Sequence, residues 1–219
     1  MTTLWKFLGQ RAARASLAVL SFLTAVAVSG CLPTMETPET RFYVLDALAQ
    51  DTQPVTGARG ASPIVVDLTS VAIPQYLRRP QIVTRVSANR LVLSEFDNWG
   101  GSLEKNILRC MASNLSILLD TSDIHVAARR LPTDVRARIE VEVIRYERGP
   151  DNRVTLEAQW RLLGGDRDRT PIASKVSTLQ SEPLSGQDVA STVAAMSTLL
   201  GQLSQLVAEA VVAAPNDQS

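Results

Sequence analysis

The chain predicts an α+β fold: a mostly antiparallel sheet with two long amphipathic helices packed on one face, in a single domain behind a secretory leader. Three observations carry this. Apolar residues recur at helical spacing over 102–119 and again over about 186–213. From residue 135 the period drops to two over three consecutive runs joined by short turns, as in an antiparallel meander with one wet face. Ahead of all this, Lys6, Arg11 and Arg14 precede a 14-residue apolar run, Ala15 to Val28. That run is too short to span a membrane, which takes about 20 residues, but suits a cleaved signal. Helices gathered on one side of such a sheet make an α+β layer architecture.

The leader ends in Val28-Ser29-Gly30-Cys31. An aliphatic residue, two small residues and a Cys resemble the lipobox of bacterial lipoproteins. The resemblance implies S-diacylglyceryl attachment at Cys31, cleavage before it and N-acylation of the new terminus. A thiolate suits the first step because it is the most nucleophilic side chain available. The chain then divides into a signal peptide (1–30), a lipidated Cys and tether (31–40), a folded domain (41–213) and a polar tail (214–219). Leu32 follows the Cys where many lipoproteins carry an inner-membrane retention Asp, so the resemblance points to the periplasmic face of the outer membrane. Residues 32–40 (LPTMETPET) carry no apolar period. At roughly 3.3 Å per residue they span at most about 30 Å.

Removing the leader from 219 residues leaves 189, enough for one domain with a sizeable core. The three basic leader residues come off 22 Lys and Arg, leaving 19 against 22 Asp and Glu. A slightly acidic domain does not suit nucleic acid. Only two cysteines exist. Lipidation consumes Cys31, so Cys110, set among Leu108, Met111 and Leu115, has no disulfide partner and reads as a small core residue.

In chain order, 41–48 (RFYVLDAL) reads as a first strand, 49–62 as a loop and 63–69 (PIVVDLT) as a buried strand. Pro74 and Pro80 bracket a segment too short for a stable helix. Residues 81–86 and 90–95 read as a β-hairpin, with Asn89 able to take φ > 0. In the first helix Leu103, Ile107, Met111, Leu115, Leu118 and Leu119 share a face. Ser102 is its expected cap, and Glu104 suits the dipole. A short strand, 124–128, follows. The meander then runs from Val135 to Val143, from Arg153 to Leu162 and from Ile172 to Leu179, turning at Gly149 to Asn152 and at Gly164 to Asp168. Its Arg136, Arg138, Glu140 and Glu142 read as cross-strand charge pairs. Ser185 with Asp188 resembles a capping box for the last helix. The outer face of that helix holds Ser, Thr, Gln and Ala, which fits either solvent or light packing against another subunit.

Specific words add a resemblance. Phe42-Tyr43-Val44-Leu45 and Ile64-Val65-Val66 are followed by Leu77-Arg78-Arg79-Pro80-Gln81-Ile82-Val83-Thr84-Arg85 and Glu95-Phe96-Asp97-Asn98-Trp99. These are similar to the auxiliary lipoprotein component of ABC-type transporters, the paraquat-inducible protein C type, over most of 41–200. Gly100-Gly101-Ser102-Leu103 departs from the Ala-x-Pro-Leu expected after the Trp. The resemblance implies a non-catalytic subunit that works with an inner-membrane ABC permease and ATPase and a mammalian-cell-entry-domain protein, moving lipids or other hydrophobic cargo between membranes. It also implies a ring-forming homo-oligomer. The sequence carries no Gly-x-x-x-x-Gly-Lys-Ser/Thr loop.

No catalytic constellation, metal set or cofactor motif stands out. The single His, His125, lies between Ile124 and Val126 and reads as a core or edge residue, and no Gly-x-Ser-x-Gly elbow is present. The expectation is therefore no enzyme, with the lipid on Cys31 as the one covalent group. Two features suit docking. Arg78, Arg79 and Arg85 cluster in sequence beside Tyr76, as a guanidinium surface for a partner or lipid phosphate, or as plain surface charge. Trp99 is either a core plug or a docking residue. The competing function is a structural envelope lipoprotein that binds cell wall or an assembly machine.

Overall fold

The computed structural model describes residues 38–60, 64–127, 135–165 and 170–214. The leader, Cys31, the tether up to residue 37, most of the 164–168 turn and the tail from 215 lie outside the described residues. The chain divides into Met1–Pro38 and Glu39–Ser219.

Within Glu39–Ser219 the strands are β1 (Arg41–Tyr43), β2 (Val66–Ala72), β3 (Gln81–Ser87), β4 (Arg90–Trp99), β5 (Ile124–Val126), β6 (Ala137–Arg148), β7 (Val154–Gly164) and β8 (Pro171–Gln180). The helices are α1 (Leu103–Leu118) and α2 (Val189–Ala213), and Gln75–Leu77 forms a 3-10 turn between the two prolines. All eight strands of the described residues join one sheet.

The sheet is mixed, which corrects the mostly antiparallel expectation. The meander β6-β7-β8 and the hairpin β3-β4 are antiparallel, but β1 runs parallel to β4, and β2 runs parallel to both β5 and β6. Parallel neighbours need a crossover, and α1 lies between β2 and β5 in sequence to supply one. β2 alternates Val66, Asp67, Leu68 and Thr69, and Asp67 is buried along with its two apolar neighbours, so this strand is covered on both faces despite its polar residues.

α1 packs on β2 and β5, α2 on β6, β7 and β8, and the two helices pack on each other. The six apolar positions predicted for α1 are all buried. On the meander, Ala137, Ile139, Val141 and Val143 are buried on the helix side with Leu156, Ala158, Trp160 and Leu162. The opposite face carries the charges: Arg161 pairs with Glu140 at 3.2 Å, the cross-strand pairing expected. Arg136 instead reaches the end of α2 and donates to the carbonyls of Val211, Val212 and Ala214, satisfying acceptors that the helix leaves open. α2 is long and apolar enough to cross a membrane, but it is half-buried here as the core helix of the domain.

Local details differ from expectation in four places. β1 stops at Tyr43, because Val44 to Leu48 leave the sheet and cross the helices. Asn89 does not take positive φ; Asn152, in the β6–β7 turn, does, at 60°. Ser102 makes no side-chain cap, and its carbonyl accepts from both the backbone N and the Nδ2 of Asn106. Asp188 is itself the cap of α2, accepting from the backbone N and the Oγ of Ser191.

Candidate functional site

β6 is the branch point of the sheet. Along one edge it pairs with β7 throughout; along the other it pairs with β2 over its first half and with β3 at the single register pair Thr84 and Arg148. The strands β1, β4 and β3 therefore form a small wing hung on the far end of β6. This wing receives the tether and holds every residue proposed for docking, because the 3-10 turn that carries Tyr76 leads into β3.

One ladder pair is a weak attachment, and a buried carboxylate reinforces it. Glu147, on β6, is fully buried. It accepts from Tyr76 Oη at 2.7 Å, Arg85 Nε at 2.7 Å and Arg145 Nε at 2.9 Å, with the Tyr146 backbone N at 3.2 Å. The Arg85 guanidinium also lies 5.8 Å from the Tyr76 ring centroid, within cation–π range. Burial, then the Glu147 carboxylate, push the Tyr76 phenol well above its usual range. Two of the five predicted docking residues, Tyr76 and Arg85, are thus internal pins of the wing.

Trp99 is the core plug of the two options, 4% exposed. Its backbone N donates to Pro80 O at 2.7 Å, and the next residue, Gly100, donates to Tyr43 O at 2.6 Å. These bonds lock β3, β4 and β1 side by side at the root of the wing. A Cβ on Gly100 would meet Val44 Cγ1 at 3.0 Å, and Gly101 sits at φ +119°. The departure from the family's words at 100–101 is the glycine pair that lets β1 approach and the chain turn into α1.

Asp97, behind Trp99, is buried against Arg41 Nε at 2.7 Å and Ser94 Oγ at 2.6 Å. Burial pushes its carboxyl up, but the hydrogen bonds from Arg41 and Ser94 outweigh it and hold the group below the usual carboxylate range.

Arg78 and Arg79 remain on the surface. Arg78 Nε donates to Ile73 O at 3.2 Å, and neither side chain makes an ion pair among the described residues. Beside them Phe42 is 68% exposed and Val44 51%. Their neighbours Tyr43 and Leu45 turn inward onto the core.

Beyond the wing, the chain crosses the helices as a strap. Asp46 N donates to Ser197 Oγ at 3.1 Å, Leu48 N to Asn114 Oδ1 at 2.8 Å, and Cys110 Sγ donates to Asp46 O at 3.0 Å. Asn114, fully buried, also donates to Ser204 Oγ at 3.2 Å. Leu48 fits over Gly201, where a Cβ would stand 2.8 Å from its Cδ2. Cys110 is buried, as expected from its neighbours, and burial pushes its thiol up to about 11.

Sequence reasoning missed Glu147 and Asn114. The alternation of β6 slips at a bulge between Val143 and Arg145, so the pattern read to Val143 did not extend to Glu147. Asn114 was visible only as a polar residue interrupting a helix one turn beyond Cys110. His125 lies half-buried on the edge strand β5, in register with Asp67 of β2. Among the described residues no three His, Cys, Asp or Glu side chains group as metal ligands.

A family described as "ABC-type transport auxiliary lipoprotein component" matches residues 43–208. No curated protein matches the chain. Two solved structures share the fold. One, described as an uncharacterized protein, is 19% identical, with 78% of this chain and 98% of that one covered at a TM-score of 0.61. The other, from Xanthomonas campestris, is 16% identical, with 80% and 97% covered at a TM-score of 0.65.

Proposed function

Because the chain belongs to the ABC-type transport auxiliary lipoprotein component family, we propose that it is a lipid-anchored accessory subunit of a transport system that moves lipids or other hydrophobic cargo between the inner and outer membranes. The family match, spanning nearly the whole folded domain, carries this reading. The subunit docks rather than catalyses. Its partners are an ABC permease with its ATPase and a cell-entry-domain protein, and several copies assemble into a ring. The core described above is filled by side chains, so a hydrophobic path lies between subunits or partners rather than through one chain.

Cys31 carries the N-acyl and S-diacylglyceryl lipid in this reading and holds the domain at the periplasmic face of the outer membrane. One acyl chain binds a membrane only marginally, at about 0.8 kcal/mol per buried methylene, whereas two or more make a lasting anchor.

The test is in-cell cross-linking followed by capture in mild detergent and mass spectrometry. Recovery of a permease or a cell-entry-domain protein supports the accessory role. Recovery of cell-wall material alone moves the assignment to a structural lipoprotein. In parallel, Cys31→Ser shifts the protein from the membrane to the soluble periplasmic fraction; retention of that variant overturns the anchor.

A further inference from the structure

We propose that the root of the wing is a membrane-contact surface: Phe42 and Val44 seat in the headgroup region of an anionic phospholipid membrane, and Arg78 and Arg79 bind lipid phosphates beside them. This rests on the anchored reading of Cys31.

Three observations carry it. Phe42 and Val44 are the outward members of an alternation whose inward members, Tyr43 and Leu45, are packed on the core. Phe42 is held outward by β1, and Val44 by its place between Tyr43 and Leu45, both packed on the core; such side chains gain more from an interface than from water. Second, the arginines are adjacent. Gly100 N reaches Tyr43 O on one side of β4, and Trp99 N reaches Pro80 O on the other, so Arg79 is two strands from Val44. Both arginines are exposed and make no ion pair among the described residues, whereas Arg85 and Arg41 are engaged by carboxylates. Apolar side chains flanked by arginine are an interfacial composition. Third, the patch lies where the tether joins the domain. The nine residues 32–40 span at most about 30 Å, so a lipid planted by Cys31 confines Phe42 to that distance from the bilayer. Glu39 and Asp46, both exposed, flank the patch along the chain, and Asp188 acts on Arg41 and Tyr43 from the start of α2; these acids oppose the attraction in part.

A protein partner would be expected to cover a wider apolar area than Phe42 and Val44; the other exposed apolar residues of the wing, Val92 and Leu93, lie near the opposite end of β4. The patch is small, presents two arginines that make no ion pair among the described residues, and follows the tether directly in sequence. That favours a lipid surface, which needs depth of a few ångströms rather than shape.

The experiment uses the full chain with Cys31→Ser, made without its leader, so that no acyl chain contributes. Co-sedimentation is measured with vesicles of phosphatidylethanolamine and phosphatidylglycerol, and with phosphatidylcholine alone. The expected result is weak, salt-sensitive binding to the anionic vesicles and little to the neutral ones. Phe42→Ser with Arg79→Glu, neither of which touches a buried partner, weakens binding by roughly tenfold or more. Arg90→Glu, at the opposite end of the hairpin, leaves it unchanged. A circular dichroism melt verifies that the variants fold. Equal binding by the wild type and the Phe42/Arg79 variant overturns the proposal. So does an absence of vesicle binding accompanied by photo-cross-linking from position 42 to a transport-system protein. The intact mass of wild-type protein from membranes separates this from the anchor. Lipidated Cys31 without Phe42-dependent binding removes the contact and keeps the anchor; unlipidated Cys31 with such binding does the reverse.

Discussion

Two buried polar hubs hold this domain together where its regular ladders run out, and they are built from opposite chemistry. Glu147 is a charged hub at the joint between the wing and the main sheet, where β3 and β6 share one register pair. Asn114 is a neutral hub beneath the strap, where the crossing chain has no neighbouring strand. Three side chains, from Cys110, Asn114 and Ser197, take the place of that strand for Asp46 and Leu48. Backbone polar groups leaving water must find partners, and a strap across two helices can find them only on side chains. The charged hub recruits two long arginines from different elements and tolerates their mobility, because Coulomb attraction acts at a distance. The neutral hub depends on hydrogen-bond geometry and therefore on Gly201 letting Leu48 come close.

The difference predicts unequal costs. Replacing Arg85 and Arg145 together by Ala leaves the Glu147 carboxylate with only the Tyr76 hydroxyl and the Tyr146 amide. Stripping a buried charge of its partners costs about 3–5 kcal/mol. Here the lower end applies, since the two arginine side chains are 21% and 31% exposed and water screens them in the folded state. Urea unfolding measures this, and a loss under about 1 kcal/mol would show that the wing does not hang on Glu147. Glu147→Gln, which removes the charge but keeps the shape, should cost less than the double arginine variant.

Asn114→Ala comes next. It strands the Leu48 amide, at about 2 kcal/mol for an unsatisfied group out of water, while the Ser204 hydroxyl loses one donor and keeps its own bond to Leu200 O. The loss should also be local: limited proteolysis should cut within 44–53 in this variant while the meander stays intact. Global unfolding at unchanged protection of the strap would mean that Asn114 serves helix packing, not the strap.

The helices and the meander were legible in the sequence because each rests on a period that a single strand or helix displays by itself. The α1 face from Leu103 to Leu119 and the alternation from Val135 to Leu162 needed no knowledge of neighbours. What failed was pairing. Arg78, Arg79 and Arg85 look alike along the chain, yet only Arg85 meets a buried acid, and that acid is 62 residues away. The parallel pairing of β2 with β5 has no local mark, whereas the meander shows its antiparallel turns directly in the sequence. Val44 and Leu45 continue the alternation of β1, and nothing local records that Asn114 and Ser197 draw the next residues off the sheet.

The smallest effect concerns pH, and it isolates one member of the neutral hub. Burial holds the Cys110 thiol up at about 11, against about 9 when unfolded. Above pH 9 the unfolded chain releases a proton that the folded chain keeps, so the unfolded state binds fewer protons and stability falls as pH rises from 9 towards 11. Tyr76 and Tyr146, both raised by burial, add their own fall above pH 10. The window between 9 and 10 therefore belongs mainly to Cys110. Cys110→Ser keeps a donor to Asp46 O and should flatten the stability curve in that window while leaving the tyrosine fall in place. Chemical denaturation at pH 7, 9 and 10 in both proteins measures the difference. An unchanged slope in the serine variant would mean that the thiol is not the group that titrates, and that the strap can lift off α1 far enough to hydrate Cys110 before the domain unfolds.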